Sequence, residues 1–180
     1  ISGLDTVDWP ESIKEIQKNW IGRSKGTTVI FSLEKNEYTI EVFTTRPDTV
    51  FGVGFIVLSP EHKLVNLITT DEFKNEVSKY VDGAKLKSER DRQTEKAVSG
   101  AFTGAYAIHP FTKQKIQVWI GDYVLSSYGT GAVMAVPCGD QRDWNFAKKF
   151  GLEIKNIFKD FDVSEGAYEE KGKLISNSDR

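Results

Sequence analysis

An α+β fold is predicted, with a β-barrel-like core of short strands flanked by helices. Three observations predict it. Short β-branched and aromatic runs recur along the chain, each bounded by turn residues. Helical periodicity is confined to a few brief segments. The 180 residues, 39% hydrophobic and 28% charged, are those of an ordinary domain that buries one substantial core. Many short strands with few helices favour a closed or nearly closed barrel.

In chain order, Pro10 to Gln17 begins a short helix, because Pro10 suits the first turn and Ile13, Ile16 and Trp20 recur at helical spacing. Thr27–Leu33 and Tyr38–Thr45 are β-branched and aromatic, with Glu34-Lys35-Asn36-Glu37 between them, which predicts a hairpin. Gly54–Leu58 reads as a buried strand, and Pro60–Ile68 and Asp71–Asp82 as helices with apolar faces. Lys85–Lys96 is charged enough to predict an exposed connection. Strands are expected near Gly104–His109, Lys115–Trp119, Tyr123–Leu125 and Ala132–Val136. A helix from about Asp140 to Phe150 follows, with Trp144, Phe146, Ala147 and Phe150 expected on its buried face. The whole reads as one domain over 1–180, with 1–24 as a flank leading to a longer parent. The start at Ile1 and the polar end Ser176–Arg180 suggest an excised piece, or a processed start.

The net charge of −2 argues against strong autonomous binding to nucleic acid, which needs a basic surplus. The single cysteine, Cys138, excludes an internal disulfide and a multi-cysteine zinc site. No apolar run approaches the roughly 18 residues of a membrane span, and the N-terminus has no signal-peptide pattern. A cytoplasmic protein, or one of an organellar matrix, is expected.

Histidine chemistry has little support. His62 sits beside Glu61 and His109 precedes Pro110, so a solvated position and a turn position are expected. A Ser-His-Asp or Cys-His enzyme needs an imidazole beside its nucleophile, and none is near in sequence. Gly129-Thr130-Gly131 opens like a dinucleotide fingerprint, but Met134 stands where the third glycine belongs. No metal and no cofactor are expected.

Two loops carry a stronger signal. Thr44-Thr45-Arg46-Pro47-Asp48-Thr49 packs hydroxyls, a guanidinium and a carboxylate around a proline. Alone it reads as a capped turn, with Thr45 or Asp48 taking free amides and Arg46 paired with Asp48, or as a polar binding loop. The second runs from Tyr128 to Asp143, an apolar strand leading through Pro137 and Gly139 into a helix. Asp140 is a good N-cap there, and Asp143 one turn later favours the helix dipole.

Together these loops resemble the editing domain of leucyl-tRNA synthetases of the bacterial and organellar type. The resemblance rests on Thr44–Gly52, on Gly129–Pro137, and on Asp140-Gln141-Arg142-Asp143. Asp8-Trp9-Pro10, Asn19–Ser24, Phe102-Thr103-Gly104, His109-Pro110 and Val118-Trp119 fit the same family, so the likeness runs from about residue 8 to 155. The isoleucyl and valyl relatives share a similar threonine loop but end the second loop differently.

The resemblance implies the fold of a class I synthetase editing domain, and a hydrolase that cleaves the ester of mischarged tRNA(Leu). Norvaline and isoleucine are among the amino acids such a site would remove, with leucine excluded. Its partners would be the tRNA(Leu) 3′ end and the remainder of an ATP-binding parent synthetase, with no membrane. The resemblance points to Asp143 as the group that grips the substrate ammonium, and to Thr44 and Thr45 as ligands of the substrate or of a water. Thr49 matches the family's size gate. Arg46 would contact the terminal nucleotide, Tyr128 and Met134 would line the pocket near it, Val136 would form apolar wall, and Asp140 would complete the binding set. One departure stands out: the family usually has His where this chain has Gly139. An alternative is a module that binds the tRNA end or an adenosine without hydrolysing anything.

Overall fold

The computed structural model describes residues 2–22, 25–95, 97–127 and 129–175. It has the predicted α+β architecture: a six-stranded sheet, curled almost into a barrel, with helices packed outside. Helix α1 is Glu11–Ile21, and the strands β1 Thr27–Leu33 and β2 Thr39–Thr44 form the predicted hairpin. Their register runs from Thr27 opposite Thr44 to Ser32 opposite Thr39. Side chains alternate across the sheet, so Phe31, Leu33, Ile40 and Val42 point inward while Ile30 and Phe43 face out.

The remaining strands are β3 Phe55–Leu58, β4 Ala101–Ile108, β5 Lys115–Ile120 and β6 Ala132–Ala135. Their order across the sheet is β2-β1-β4-β5-β3-β6. All pairs are antiparallel except β3 with β5. The end strands β2 and β6 share no ladder, yet they pack against each other, and that seam nearly closes the barrel.

Strand β3 shows why its sequence is an unbroken apolar run. Ile56 and Leu58 face the barrel interior, while Phe55 and Val57 face an outer layer with Trp119, Phe146 and Ala147. A strand covered on both faces has no polar side to show. The outer layer is closed by α5 (Gln141–Phe150), whose Phe146 and Ala147 are fully buried. Trp144 and Phe150, expected on the same face, are half-buried, and Asp143 joins the buried set.

Strand β4 is bent, with its register to β5 shifting between Phe102 and Tyr106. Gly104 sits in the bend at φ +75°, where an added Cβ would meet the Thr70 side-chain oxygen at 2.0 Å. Glycine is required there on both counts.

Several expected elements differ. Helix α2 is only Val65–Ile68, because 60–64 turns instead, with the Leu64 amide donating to His62 Nδ1. The expected helix from Asp71 begins as a 3₁₀ turn, Asp71–Phe73, before α3 (Lys74–Lys85). Residues 123–125 form no strand, since the backbone around Val124 is bonded elsewhere. Arg92 takes the carbonyls of Asp122 and Val124 at 2.7 and 3.1 Å. The described part of the charged segment, 85–95, is mostly exposed, but it carries α4 (Glu89–Thr94), capped by a reciprocal Ser88–Asp91 box. Within it Arg92 is buried and paired with Glu61 at 2.6 Å. From Gly151 to Ile175 the chain returns without a helix and buries Ile157, Phe158 and Val163 in the main core.

Candidate active site

The threonine loop leaves β2 directly over the seam. Thr44 Oγ1 accepts the Arg46 amide at 3.0 Å, a contact expected of Thr45 or Asp48. Arg46 is paired with Asp48 through two nitrogens, at 3.1 and 3.0 Å. That pairing holds the Asp48 carboxyl below the usual range. Pro47 opens a 3₁₀ turn, Pro47–Gly52, which buries Thr49. The Thr49 hydroxyl donates to the Arg46 carbonyl at 2.9 Å, which leaves its methyl as the group with no bond to make.

On the other side of the seam, β6 carries Met134 into the loop that starts α5. Asp140 caps the helix, its Oδ1 accepting the amides of Arg142 and Asp143 at 2.9 and 3.0 Å. Asp143 turns inward and is only 8% exposed. Its Oδ2 accepts the Val136 amide at 2.8 Å and its Oδ1 lies 3.3 Å from the Tyr123 hydroxyl. Burial, then the neighbouring Asp140 charge, pushes the Asp143 pKa up to about 7. The carboxylate is therefore poorly compensated as it stands, a condition typical of groups that meet a charged ligand.

Two cavities meet at these residues. The larger, about 560 Å³, is bounded by Phe43, Thr44 and Thr45 on one side and by Tyr123, Leu125 and Arg142 on the other. The smaller, about 180 Å³, lies between Arg46, Thr49, Val136 and Phe158. Thr44, Met134, Asp140 and Asp143 line both. All the expected site residues within the described chain thus converge on this place. Tyr128 falls outside the described residues. Gly139 also borders the smaller cavity, and an added Cβ there would make only ordinary contacts with Phe158 and Val136.

The two histidines and the cysteine do not line either cavity. His109 heads the turn between β4 and β5, as expected, but is buried: it is 2% exposed, its Nε2 bonded to the Val50 carbonyl at 2.9 Å. Its Nδ1 accepts the amides of Phe111 and Thr112. His62 is half-buried, and burial lowers its pKa. Cys138 is fully buried in the core, where desolvation raises its thiol pKa. Among the described residues, no three His, Cys, Asp or Glu side chains are grouped to hold a metal ion.

Sequence reasoning missed Tyr123, Leu125, Phe43 and Phe158 as cavity walls. The apolar run at 123–125 imitated a strand, and Phe158 lies in an irregular tail that no periodicity marks.

Comparison with known proteins decides the family. The model for the leucyl-tRNA synthetase editing domain matches residues 18–180. The chain belongs to the leucyl-tRNA synthetase editing-domain family. Curated relatives of this editing domain include the leucine–tRNA ligases of Christiangramia forsetii, 58% identical over 99% of the chain, and of Flavobacterium johnsoniae, 57% identical over 99%. The chain spans about a fifth of the length of these relatives, 19% and 20%. A similar solved structure is the ternary complex of Agrobacterium radiobacter K84 agnB2 LeuRS with tRNA and LeuAMS. It is 34% identical with a TM-score of 0.73, covering 92% of this chain and 20% of that one.

Proposed function

We propose that this editing domain hydrolyses the ester joining a wrong amino acid to tRNA(Leu), within a parent leucyl-tRNA synthetase. The observation that carries the reading is the shared cavity of about 180 Å³ lined by both Thr49 and Asp143. A pocket that accepts leucine rejects a similar side chain by only about 1–3 kcal/mol per methylene, so a second, hydrolytic site is needed.

In this reading the substrate ammonium enters beside Asp143. A positive charge there draws the carboxyl pKa down from about 7, so binding completes the ionisation that burial opposes. The ammonium grip fixes the ester carbonyl for attack by water, which is catalysis by orientation. Thr44 and Thr45, at the mouth of the larger cavity, orient that water or the ribose hydroxyls. The Thr49 methyl meets the branched end of leucine, while norvaline, which is unbranched, fits. Arg46, Met134, Val136 and Asp140 bound the aminoacyl chamber and its junction with the larger one, and the larger one takes the terminal nucleoside. The ester is already reactive, so no strong general base is required.

Binding of the rest of the tRNA falls to the parent, in keeping with the net charge of −2. Helix α1 has no buried residue, and its Ile13, Ile16, Trp20 and Ile21 are exposed. That apolar stripe fits a contact with the parent's other domains.

The test is release of norvaline from norvalyl-tRNA(Leu) by the full-length synthetase. Asp143→Ala is expected to abolish it. Wild-type rates in that variant would remove Asp143 from the mechanism.

A further inference from the structure

One polar contact to Asp143 comes from outside the two loops that supply the rest of the site. The Tyr123 hydroxyl approaches Asp143 Oδ1 at 3.3 Å, long for such a bond but within the range that tightens on substrate binding. Burial and the Asp143 charge hold this phenol protonated, well above its ordinary titration range, so it is a donor at every working pH. Its ring packs near Phe146, at 5.9 Å between centroids, with the Arg142 guanidinium 5.7 Å from the ring centre.

The backbone around Tyr123 is clamped on both sides. Arg92, buried and braced by Glu61, takes the carbonyls of Asp122 and Val124, the residues before and after it. The Asp122 carboxylate accepts Lys87 at 2.9 Å and the Ser99 hydroxyl at 3.0 Å, and the Asp122 amide donates to Tyr80. A loop that is otherwise irregular is thus fixed at a residue that reaches Asp143.

We propose that Tyr123 is a positioning residue for editing, whose hydroxyl keeps the Asp143 carboxylate ionised and aimed into the cavities. The proposal rests on the reading that Asp143 grips the substrate ammonium. The charged and polar groups facing Asp143 come from several elements. At the start of α5, the capping Asp140 opposes its charge and Arg142 favours it; just after β6, the Val136 amide donates. The Cys138 thiol in the intervening loop stays protonated, and Arg46 is paired with Asp48 across the smaller cavity. Removing the Tyr123 hydroxyl leaves the Val136 amide as the direct donor, among the described residues, and the carboxyl titrates higher.

The experiment measures kcat/KM for norvaline release from norvalyl-tRNA(Leu) across pH 5.5–9, on the full-length synthetase, with uncatalysed ester hydrolysis subtracted. Phe at 123 keeps the ring and its packing. In Tyr123→Phe the acid limb of the profile is expected to move up by about one pH unit, giving roughly a tenfold loss below the limb. That loss shrinks as pH rises. The alkaline limb belongs to the substrate's ammonium and stays in place. An acid limb that does not move overturns the proposal, even if the rate falls uniformly, because a purely structural loss scales every pH alike. Asp143→Asn is run beside it. An inactive Asp143→Asn with an unmoved Tyr123→Phe limb refutes the positioning role alone, whereas an active Asp143→Asn refutes the underlying reading.

Discussion

The burial of Asp143, which in the proposed reading readies it for an ammonium, is also a cost to the unliganded domain, and Asp143→Asn measures it. The residue is 8% exposed and its pKa rises from 3.8 unfolded to about 7 folded. Between those values the unfolded chain has released the proton and the folded one keeps it, so stability falls as pH rises from about 4 to about 7 and then levels off. Three pKa units at about 1.36 kcal/mol each give roughly 4 kcal/mol as the upper limit of the penalty. Asparagine removes the charge but keeps the local bonds. Its oxygen still accepts the Val136 amide, and its NH₂ faces the Tyr123 oxygen, which can accept. A net gain of about 2–3 kcal/mol at pH 8 is expected, which raises the melting temperature by roughly 5–10 °C for a domain of this size. The assay is thermal unfolding of both proteins from pH 4 to pH 8. The difference should be near zero at the acid end, widen to about pH 7, and remain constant above it. An asparagine variant that melts at or below wild type at pH 8, or by an amount independent of pH, refutes the reasoning.

Three further outcomes are expected. Thr49→Ala should let leucyl-tRNA(Leu) be hydrolysed, with a gain of roughly 10- to 100-fold for the removed bulk, while Thr49→Val should keep the gate shut; deacylation of leucyl-tRNA by full-length enzyme distinguishes them. Arg92→Ala should lower the melting temperature by roughly 5–10 °C, because the Asp122 and Val124 carbonyls lose a buried cationic donor, a loss of about 3 kcal/mol. Gly104→Ala should destabilise the fold by at least about 1–3 kcal/mol in chemical denaturation, since φ +75° is strained for alanine and Thr70 occupies its space.

Much of the fold was legible because its strands obey simple patterns. Thr27–Leu33 and Tyr38–Thr45 alternate or run apolar, and β3, covered on both faces, shows no polar position at all. The elements misread were those whose backbone partners come from far along the chain. Residues 123–125 carry strand-like side chains, but a buried arginine 30 residues upstream of Asp122 takes the Asp122 and Val124 carbonyls. The same arginine was hidden in a run of charges, where periodicity sees only a solvated face. Helix α2 was overestimated because His62 offers the Leu64 amide a local partner.

The residue types in the threonine loop and at the start of α5, together with their order, determined the family, the candidate site and the Asp140 cap, all of which depend on neighbours close in sequence. Only the tertiary structure decided that the two loops share a cavity, since that requires β2 and β6, the first pair's outer strand and the last strand, to meet at the seam of a nearly closed sheet. It alone also decided the raised pKa of Asp143 and its contact with the Tyr123 hydroxyl. Both follow from desolvation and from a hydrogen bond across 20 residues, and neither leaves a mark on local spacing.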